Sequence, residues 1–576
     1  MAMDRQKLAE LLATMALLLE LAGENTFKVR AYQGAARAIG KSTEDLDELY
    51  RSGKLETIKG IGRAIARHIA EYAETGTIEE YRQLKSTVAP SLLELVKIPG
   101  LGPKKAMAVH AALGVDSIGE LEYACRENRL IALNGFGEKT QQAVLRGIEY
   151  MKKFQGSLLL AEAWPLAERI AAYLLEQDGL TAARVAGAVR RRCPTVREIV
   201  IVVQADAAGL ATLEGILTAM PGVEQVTSPE TSCFQAVLSV GISLLVRVAA
   251  LEDFPAALCL FTGNDQHVAE LRRLAGEQEW TLADGRLVNA DGKAVPLAAE
   301  EDIYRKLGLS YPEPELREGQ GEIALAAQQR LPVLVQPGDL RGAFHMHTTY
   351  SDGTASLAAM GEAAATRGWS YIGITDHSRT AVYAGGLSLE QIRAQRQEIE
   401  RLNANRPDCL ILAGIESDIL PDGSLDYPDD ILAQFDFVIA SVHSAFRQSE
   451  AEKTKRLKKA MQNRYVTMLG HPTGRILLAR EEYPLDMTEI IQTAADTGTI
   501  IEINASPYRL DLDWTWCRVA REKGVLLSVN PDAHGVAELD SVIYGVAVAR
   551  KGGLTAANLL NTRERPDMLT LLRRKR

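Results

Sequence analysis

Cysteine is scarce in this chain, which also lacks long apolar runs and a strong excess of positive charge. Its six cysteines among 576 residues lie far apart without paired spacing. This excludes a disulfide framework or a zinc ribbon and predicts reduced thiols in a cytoplasmic protein. No uncharged apolar run reaches the roughly 18 residues of a membrane span, so we expect no membrane partner. A formal net charge of −10 does not by itself indicate a nucleic-acid partner.

The length of the chain exceeds what one hydrophobic core accommodates, and its composition changes along the sequence. Residues 1–155 are helical in period. Residues 156–308 alternate helices with β-branched strands, which is typical of an α/β domain. Residues 309–340 are rich in proline and acidic side chains and predict a linker. Residues 341–576 alternate apolar strands with helices, which predicts a parallel sheet of the (β/α) barrel type.

The helical segment contains three copies of a Gly-apolar-Gly turn, each followed by a helix rich in small and apolar residues. A glycine-rich turn that opens a helix presents backbone N–H groups and a positive helix end, which suits phosphate binding without reading bases. One such turn is weak evidence, but three copies with basic residues nearby indicate helix-hairpin-helix motifs. The predicted DNA contacts are Gly60, Gly62, Gly100, Gly102, Lys104, Gly135, Gly137 and Lys139.

Histidine is concentrated in the last segment, where six of the nine in the chain follow predicted strands. Those strands span residues 342–347, 371–377, 410–419, 435–443, 466–471, 499–504 and 526–530. In a parallel barrel their carboxyl ends converge on one face. The nine candidate ligands are His345, His347, Asp352, His377, Glu416, His443, His471, Asp532 and His534. Nine nitrogen and oxygen donors exceed one tetrahedral site and predict two or three divalent ions, with zinc, manganese or iron favoured over magnesium alone.

Two further residues of this segment are candidates for catalysis. Asp376 precedes His377 and is predicted to orient that ligand, although a helix cap is an alternative role. Arg509 follows the one predicted strand that ends without a ligand and is predicted to clamp a phosphate group. A solvent-exposed surface arginine is the alternative.

The order of these motifs resembles the polymerase and histidinol phosphatase (PHP) domain: His-x-His, Tyr-Ser-Asp-Gly, Thr-Asp-His, Gly-Ile-Glu, Ser-Val-His, Gly-His-Pro and Asp-Ala-His. The resemblance implies a distorted (β/α)7 barrel and a trinuclear metal centre, whose ligand positions all have a match here. With the Gly-x-Gly turns, the whole chain resembles the bacterial family X DNA polymerases. That resemblance implies an α-helical helix-hairpin-helix domain, an α/β nucleotidyltransferase palm with thumb, and the PHP barrel.

The palm departs from the pattern of that family. Nucleotidyl transfer needs metal ions held by carboxylates on adjacent strands. After Gly187 and Arg190, the resemblance places the three carboxylate positions at Glu198, Val200 and Leu245. Valine and leucine do not bind ions, so we expect polymerase activity to be absent or very low.

Four functions are compatible with these observations. The favoured one is a DNA-repair phosphodiesterase, a 3′–5′ exonuclease acting on gapped, nicked or 3′-ended DNA, with activity at abasic sites or 3′-phosphates as an extension. A PHP phosphatase acting on a small phosphate ester is the first alternative. A DNA-binding scaffold with an inert barrel and a gap-filling polymerase with unusual palm ligands are the others. We expect a monomer.

Overall fold

In the computed structural model, the chain divides into two units, Met1–Gln155 and Gly156–Arg576. The structure describes residues 5–42, 45–115, 117–126, 129–131, 133–154, 156–230, 232–283, 285–405, 408–478 and 480–573. Within these ranges, no helix combines the length and the apolar character needed to cross a bilayer.

The described part of the first unit is helical, as the sequence predicts. Its helices are α1 (Arg5–Leu21), α2 (Thr26–Lys41), α3 (Leu46–Arg51), α4 (Arg63–Thr75), α5 (Glu79–Thr87), α6 (Pro90–Leu95), α7 (Pro103–Leu113), α8 (Ile118–Arg126) and α9 (Glu138–Phe154). Two apolar cores fill this unit. The first is built mainly from α1, α2 and α4, and the second from α6 to α9 together with the last turns of α1.

The three predicted glycine turns share one backbone geometry. Their first glycines, Gly60, Gly100 and Gly135, have φ values of +100°, +91° and +83°. Each turn is closed by a hydrogen bond in which an apolar residue after that glycine donates its N–H to the carbonyl three residues earlier, at 3.0 Å in all three copies. Glycine adopts this left-handed conformation without the steric cost of a Cβ atom. Helices α4, α7 and α9 begin directly after the second glycine of each copy.

The second unit begins with an α/β region that corresponds to the predicted palm. Its elements are β1 (Leu158–Leu159), α10 (Leu160–Leu175), β2 (Leu180–Ala186), α11 (Gly187–Arg190), β3 (Thr195–Val196), β4 (Glu198–Ala205), α12 (Ala207–Ala219), β5 (Val223–Glu230), β6 (Cys233–Leu238) and β7 (Ser243–Ala249). A five-stranded sheet has the order β2-β4-β7-β6-β5. Strands β4 and β7 are parallel neighbours, and the other pairs are antiparallel.

The thumb region follows, and it corrects the predicted linker. It contains α13 (Phe254–Thr262), α14 (Asp265–Glu277), β8 (Thr281–Ala283), β9 (Arg286–Val288), α15 (Glu301–Lys306) and α16 (Glu322–Ala327). Leu309, Ile323 and Ala326 are buried in the same core as α13 and α14. Arg317 is fully buried and binds Glu300. Residues 309–327 therefore belong to the folded thumb and are not a linker, because they form buried ion pairs and apolar contacts with it.

The C-terminal region is the predicted barrel. In its described residues, seven parallel strands follow one another in chain order: β10 (Gly342–Ala343), β11 (Tyr371–Ile374), β12 (Leu410–Asp418), β13 (Phe437–Ser441), β14 (Met468–Leu469), β15 (Ile500–Asn504) and β16 (Leu527–Asn530). A parallel bridge between Met346 and Ala533 joins the first and last strands just beyond their carboxyl ends. The sheet is thus closed at the face that carries the candidate ligands.

Helices surround this sheet, and aromatic rings fill its interior. The helices are α17 (Leu357–Thr366), α18 (Leu389–Asn405), α19 (Asp429–Leu432), α20 (Glu450–Gln462), α21 (Met487–Thr497), α22 (Trp514–Glu522), α23 (Val542–Lys551) and α24 (Arg565–Arg573). Phe344, Tyr371 and Phe437 form an inner core with residues of the C-terminal segment. A Cβ atom at Gly373 or Gly414 would lie 2.5 Å from the Phe437 ring, so these strands need glycine there to admit the ring.

Candidate metal centre

All nine candidate ligands come together at the carboxyl end of the barrel. Their donor atoms form overlapping groups in which every atom lies within 4.8 Å of the others. These groups are His347, Asp352, His377 and His534; His345, His471 and Asp532; His345, His347 and Glu416; and His377, Glu416 and His443. Strands from all around the barrel contribute ligands to these groups, because the carboxyl ends of parallel strands lie on one face.

Glu416 lies at the centre of the cluster. Its Oε1 atom is 3.2 Å from His345 Nε2, 3.3 Å from His443 Nε2 and 3.0 Å from His471 Nε2. Its Oε2 atom is 2.9 Å from His377 Nδ1. A carboxylate with four imidazoles around it can bridge neighbouring cations.

Two more carboxylates flank this centre. Asp532 Oδ1 lies 3.4 Å from His345 Nε2 and 3.3 Å from His347 Nε2. Asp352 Oδ1 lies 3.7 Å from His377 Nε2 and 3.5 Å from His534 Nε2. Carboxylate and imidazole groups are therefore interleaved, and both are ligand types that bind divalent metal ions.

Several donor atoms of this cluster lack the hydrogen bonds that burial normally demands. His345 Nε2, both ring nitrogens of His347 and Glu416 Oε2 are buried close to other ligands, but their geometry forms no hydrogen bond with any described residue. Buried polar atoms in folded proteins are nearly always satisfied by a partner or by an ion. The donor set therefore fits divalent metal ions.

The charge states of two of these ligands, Glu416 and His347, also suit cations. Burial raises the pKa of the Glu416 carboxyl, but His443 and His345 more than offset this and hold it well below its usual value. Burial, together with the nearby His377, lowers the pKa of His347 to about 3. An ionised carboxylate and a neutral imidazole are the forms that bind metal ions.

Three candidate ligands have positive φ angles, and the first barrel strand is shorter than predicted. His345, His471 and Asp532 have φ values of +60°, +24° and +53°. Left-handed backbone at non-glycine residues is rare and is concentrated at functional sites. Strand β10 ends at Ala343, so the predicted strand over residues 342–347 ends before His345 and His347. They reach the same site because the chain bends at His345 before it pairs with Ala533.

Other residues hold the candidate ligands in place, and none of them was among the predicted site residues. Glu502 is fully buried; it lies 2.5 Å from His345 Nδ1 and accepts the His471 backbone N–H at 2.7 Å. Asp418 lies 2.7 Å from His443 Nδ1, and the Asn504 amide donates to Asp532 Oδ2 at 2.9 Å. A glutamate in an otherwise apolar predicted strand was the available signal for Glu502.

The hydrogen-bond partners of Asp376 differ from the predicted partner, His377. Its two oxygens accept hydrogen bonds from the backbone and hydroxyl groups of Thr348 and Ser351 and from the Gln395 amide, at 2.5–3.2 Å. Five donors occupy this buried carboxylate, so it holds the loop between His347 and Asp352. The prediction that it orients His377 followed from adjacency in sequence alone.

Arg509 lies beside the centre. Its Nε atom is 3.6 Å from Asp532 Oδ2, and its side chain remains partly exposed. Arg475 fixes the Arg509 loop from beneath by donating hydrogen bonds to the Arg509 carbonyl and to Asp513, both at 2.8 Å. A guanidinium group at this position faces both the cluster and the solvent.

The palm residues Glu198, Val200 and Leu245 lie on the neighbouring strands β4 and β7. Val200 and Leu245 are direct partners in the parallel pair β4 and β7, and Glu198 precedes Val200 by two residues on the same strand. A Cβ atom at Gly187 would lie 2.8 Å from Val200 Cγ2, so valine packs against the turn that begins α11. Arg190 binds Glu300 at 2.7 Å. Burial raises the pKa of Glu198.

Comparison with known proteins agrees with this architecture. The chain matches the Helix-hairpin-helix domain over residues 3–78, the SAM-like Helix-hairpin-helix tandem over 92–149, the DNA polymerase beta thumb over 257–318 and the PHP domain over 343–506. The DNA polymerase/3′-5′ exonuclease PolX of Bacillus subtilis is 34% identical over 575 residues, which span 99% of this chain and 100% of that protein. The chain belongs to the family X DNA polymerases that carry a PHP domain. The thumb match extends to residue 318, which agrees with the packing of residues 309–327 into the thumb core.

Shorter relatives share part of the chain. A protein named Probable phosphatase in Thermoanaerobacter sp. (strain X514) is 33% identical over 162 residues, 26% of this chain and 64% of that protein. A protein of the same name in Caldanaerobacter subterraneus subsp. tengcongensis is 37% identical over 134 residues, 22% of this chain and 50% of that protein. Part of this chain is thus similar in sequence to proteins named as probable phosphatases.

Proposed function

We propose that this protein is a metal-dependent DNA phosphodiesterase whose barrel removes nucleotides from 3′ ends. The observation that carries this proposal is the cluster of nine donors at the carboxyl end of the barrel, where several donor atoms are buried without a hydrogen bond to any described residue. The full-length relative named as a DNA polymerase/3′-5′ exonuclease supports this choice of substrate. Gapped, nicked and 3′-ended DNA, and abasic or 3′-phosphate termini, are the substrates we propose.

Different residues of the barrel would bind the metal ions, orient the ligands and bind the phosphate. The nine donors would hold two or three divalent ions, with zinc, manganese or iron preferred; when bound, such ions lower the pKa of water and neutralise phosphate oxygens. Glu502 and Asp418 keep the Nδ1 protons of His345 and His443, so that the Nε2 lone pairs face the centre. Arg509 binds a phosphate oxygen and orients the phosphodiester.

The helical unit supplies a second contact to the substrate in this proposal. Its three glycine turns expose the N-termini of α4, α7 and α9, with Lys104 and Lys139 in the first turns of α7 and α9. Backbone N–H groups and the positive helix end bind phosphates of any sequence. We therefore expect DNA binding that is independent of sequence and falls steeply with salt.

Replacing His345 and His347 together by alanine tests the proposal. The variant is expected to lose degradation of end-labelled DNA and to hold less metal in elemental analysis of the purified protein. The control is Val333→Ala, at an exposed side chain outside the centre. Undiminished DNA degradation by the double variant would contradict the proposed site.

A phosphatase acting on a small ester is the second candidate function, favoured by the relatives named for that activity. A chain lacking residues 1–155 separates the two candidates, because these residues form a unit of their own. A DNA nuclease should lose efficiency on DNA after this deletion but retain hydrolysis of a small chromogenic ester. A small-ester phosphatase should show no effect with either substrate.

We further propose that the palm does not add nucleotides. Val200 and Leu245 lie side by side on β4 and β7 at positions where the family pattern has carboxylates, and Val200 packs against Gly187. One remaining carboxylate, Glu198, does not hold two strongly hydrated ions. Primer extension on gapped DNA with magnesium or manganese and all four nucleotides should yield no product. Templated extension would instead indicate a gap-filling polymerase with unusual ligands.

A further inference from the structure

An exposed arginine without an anionic partner lies on the loop that follows the candidate ligand His471. The Arg480 side chain forms no ion pair with a carboxylate of any described residue. Its Nε and Nη2 atoms donate to the same backbone carbonyl, that of Gly474, at 3.0 and 2.7 Å. A guanidinium group carries further N–H donors, so the end formed by Nη1 and Nη2 is available to a ligand.

Neighbouring groups fix the orientation of this guanidinium. It lies over the Phe446 ring at 4.9 Å, and the Phe446 carbonyl accepts a hydrogen bond from the Lys453 ammonium at 3.1 Å. Its acceptor Gly474 donates its own N–H to the His471 carbonyl at 3.1 Å, which closes the turn after that ligand. The Arg480 cation is therefore attached to the turn that carries His471. Because it is ordered before a ligand binds, it loses little freedom on binding.

Arg509, the predicted phosphate ligand, lies on the adjoining loop. Ile476 and Arg480 are paired in an antiparallel bridge, and Leu477 donates its N–H to the Tyr508 carbonyl at 2.7 Å. Burial, followed by the nearby Arg509 guanidinium, lowers the pKa of Arg480. A neighbouring positive charge has this effect because it disfavours a second charged group. The two arginines are thus close enough to repel each other.

Acidic side chains nearby do not neutralise this pair of arginines. Asp532 lies 3.6 Å from Arg509 but is itself a candidate metal ligand. Asp511 is fully buried, and its oxygens accept backbone N–H groups of the turn after His471. Two like charges at the surface without a neutralising partner favour an anionic ligand that contacts both.

The backbone of a DNA strand offers negative charge at successive points. In the proposed reaction, the scissile phosphate lies at the metal centre and contacts Arg509, which leaves Arg480 for a second phosphate. A nucleotide at a 3′ end has no phosphate beyond the scissile one. The second phosphate therefore lies on the 5′ side, in the strand that remains after cleavage. A small phosphate ester has no such group.

We propose that Arg480 binds the phosphate immediately 5′ to the scissile phosphate, so that the barrel distinguishes a DNA strand from a small phosphate ester. This inference rests on the proposed nuclease function and names a residue that selects its substrate. The planar fork of arginine suits bidentate binding of phosphate oxygens. Phosphate contacts do not read bases, so an abasic terminus is bound in the same way.

The test compares three end-labelled oligothymidylates with the full-length protein. The first has phosphate at every linkage. In the second, a neutral methylphosphonate replaces the linkage immediately 5′ to the last one, and in the third it replaces a linkage near the 5′ end. Release of the first 3′ nucleotide should have a kcat/KM about tenfold lower on the second substrate, because one charge-assisted contact is lost. The third substrate should behave as the first.

The variant Arg480→Gln should cleave the first and second substrates with equal kcat/KM, about tenfold below that of the wild type on the first. Arg480→Lys keeps the charge and should keep part of the difference. Arg464→Gln is the matched control and should behave as the wild type. Arg464 is also exposed and lies over an aromatic ring, that of Tyr465, but it precedes β14 at the amino end of the barrel. Hydrolysis of methyl 4-nitrophenyl phosphate should be the same in all these proteins.

A tenfold difference that persists in Arg480→Gln would overturn the role of Arg480, as would equal cleavage of the first and second substrates by the wild type. A parallel loss of methyl 4-nitrophenyl phosphate hydrolysis in Arg480→Gln would also overturn it, because Arg480 would then act through the His471 turn. Hydrolysis of this ester by the wild type without cleavage of any oligothymidylate would instead overturn the nuclease function. The two failures are therefore distinguishable.

Discussion

Glu502 supports two candidate ligands at once from inside the barrel. Its carboxylate contacts the His345 ring and the His471 backbone, and it also accepts a hydrogen bond from the Asn530 amide at 2.9 Å. Both histidines have left-handed backbone, which needs support from the surrounding structure. A carboxylate behind a ligand also fixes which ring nitrogen carries the proton.

Replacing Glu502 by glutamine keeps its size but removes its charge. We expect metal affinity to fall by about 10- to 100-fold, because the His345 ring loses its charged partner. Titration of the metal-free protein with zinc or manganese against a chelating indicator measures this change. Glu489→Gln, at an exposed helical position paired with Lys458, is the matched control. Equal affinities of the variant and the control would contradict the supporting role of Glu502.

The candidate ligands were predictable because histidine and acidic side chains at strand ends have few structural reasons to recur. The residues that support the ligands were harder to predict from the sequence. Glu502 lies inside an apolar strand, and its partners are 157 and 31 residues away in sequence. Asp376 shows the opposite failure. Its position next to His377 suggested a partner, but tertiary structure brings Thr348 and Ser351 to its oxygens.

At the scale of elements, the glycine turns show how local sequence determines local structure. Gly60, Gly100 and Gly135 adopt left-handed backbone, whereas Gly62 and Gly102 are extended residues that cap α4 and α7. The two glycines of each motif therefore have different roles. The first permits the turn, and the second begins the helix and leaves its N-terminus uncovered.

The variant Gly100→Ala should destabilise the full-length protein by about 1–2 kcal/mol, since a left-handed alanine incurs this steric cost. A Cβ at this position meets Ala143 only at ordinary contact distance, 3.7 Å, so the backbone is the source of the loss. Gly102→Ser should leave stability unchanged or slightly improved, because serine is a good helix cap. Urea unfolding followed by circular dichroism measures both. An equal effect of the two substitutions would contradict the separate roles.

The barrel strands were all predicted in the correct order, because each is an apolar run and all but the predicted strand 499–504 lead to a candidate ligand. Their lengths were overestimated where ligands interrupt the ladder: β10 and β14 span only two residues each. The segment 309–340 was misjudged for a related reason. Its prolines and acidic residues suggested exposure to solvent. Glu315, Arg317 and Glu322 are instead buried and paired with charged or polar side chains that are distant in sequence, which composition does not reveal.

At the scale of the second unit, an ionic network joins palm, thumb and barrel. Glu318 of the thumb lies 2.8 Å from Arg191 Nε of the palm and also binds Lys551 at the end of α23 in the barrel. Glu315 binds Arg550 at 2.7 Å, and the rings of Trp164 and Tyr544 meet edge to face at 6.2 Å. Nothing in the sequence predicted these contacts, because Glu318 and Lys551 are separated by 233 residues.

This network predicts that the three regions unfold together and that Glu318 couples them. Glu318→Gln leaves the Lys551 side chain, only 1% exposed, without its charged partner. Loss of one member of a buried pair costs about 3–5 kcal/mol, and we expect a fall in unfolding free energy of that order at neutral pH. Glu224→Gln, at an exposed palm position, should have little effect. A double variant Glu318→Gln/Lys551→Met should recover much of the loss.

The pH dependence of this loss provides a stricter test of the same coupling. Burial raises the pKa of Glu318, but Lys551 and Arg191 outweigh it and hold the pKa below its ordinary value of 4.5. A depressed carboxyl pKa stabilises the fold above that value, and the contribution is lost as the pH falls through the folded-state pKa. The difference in unfolding free energy between wild type and Glu318→Gln should therefore be largest near neutral pH and shrink on acidification. A difference that stayed constant with pH would mean that glutamine perturbs packing, and that the charge of Glu318 does not join the barrel to the palm and thumb.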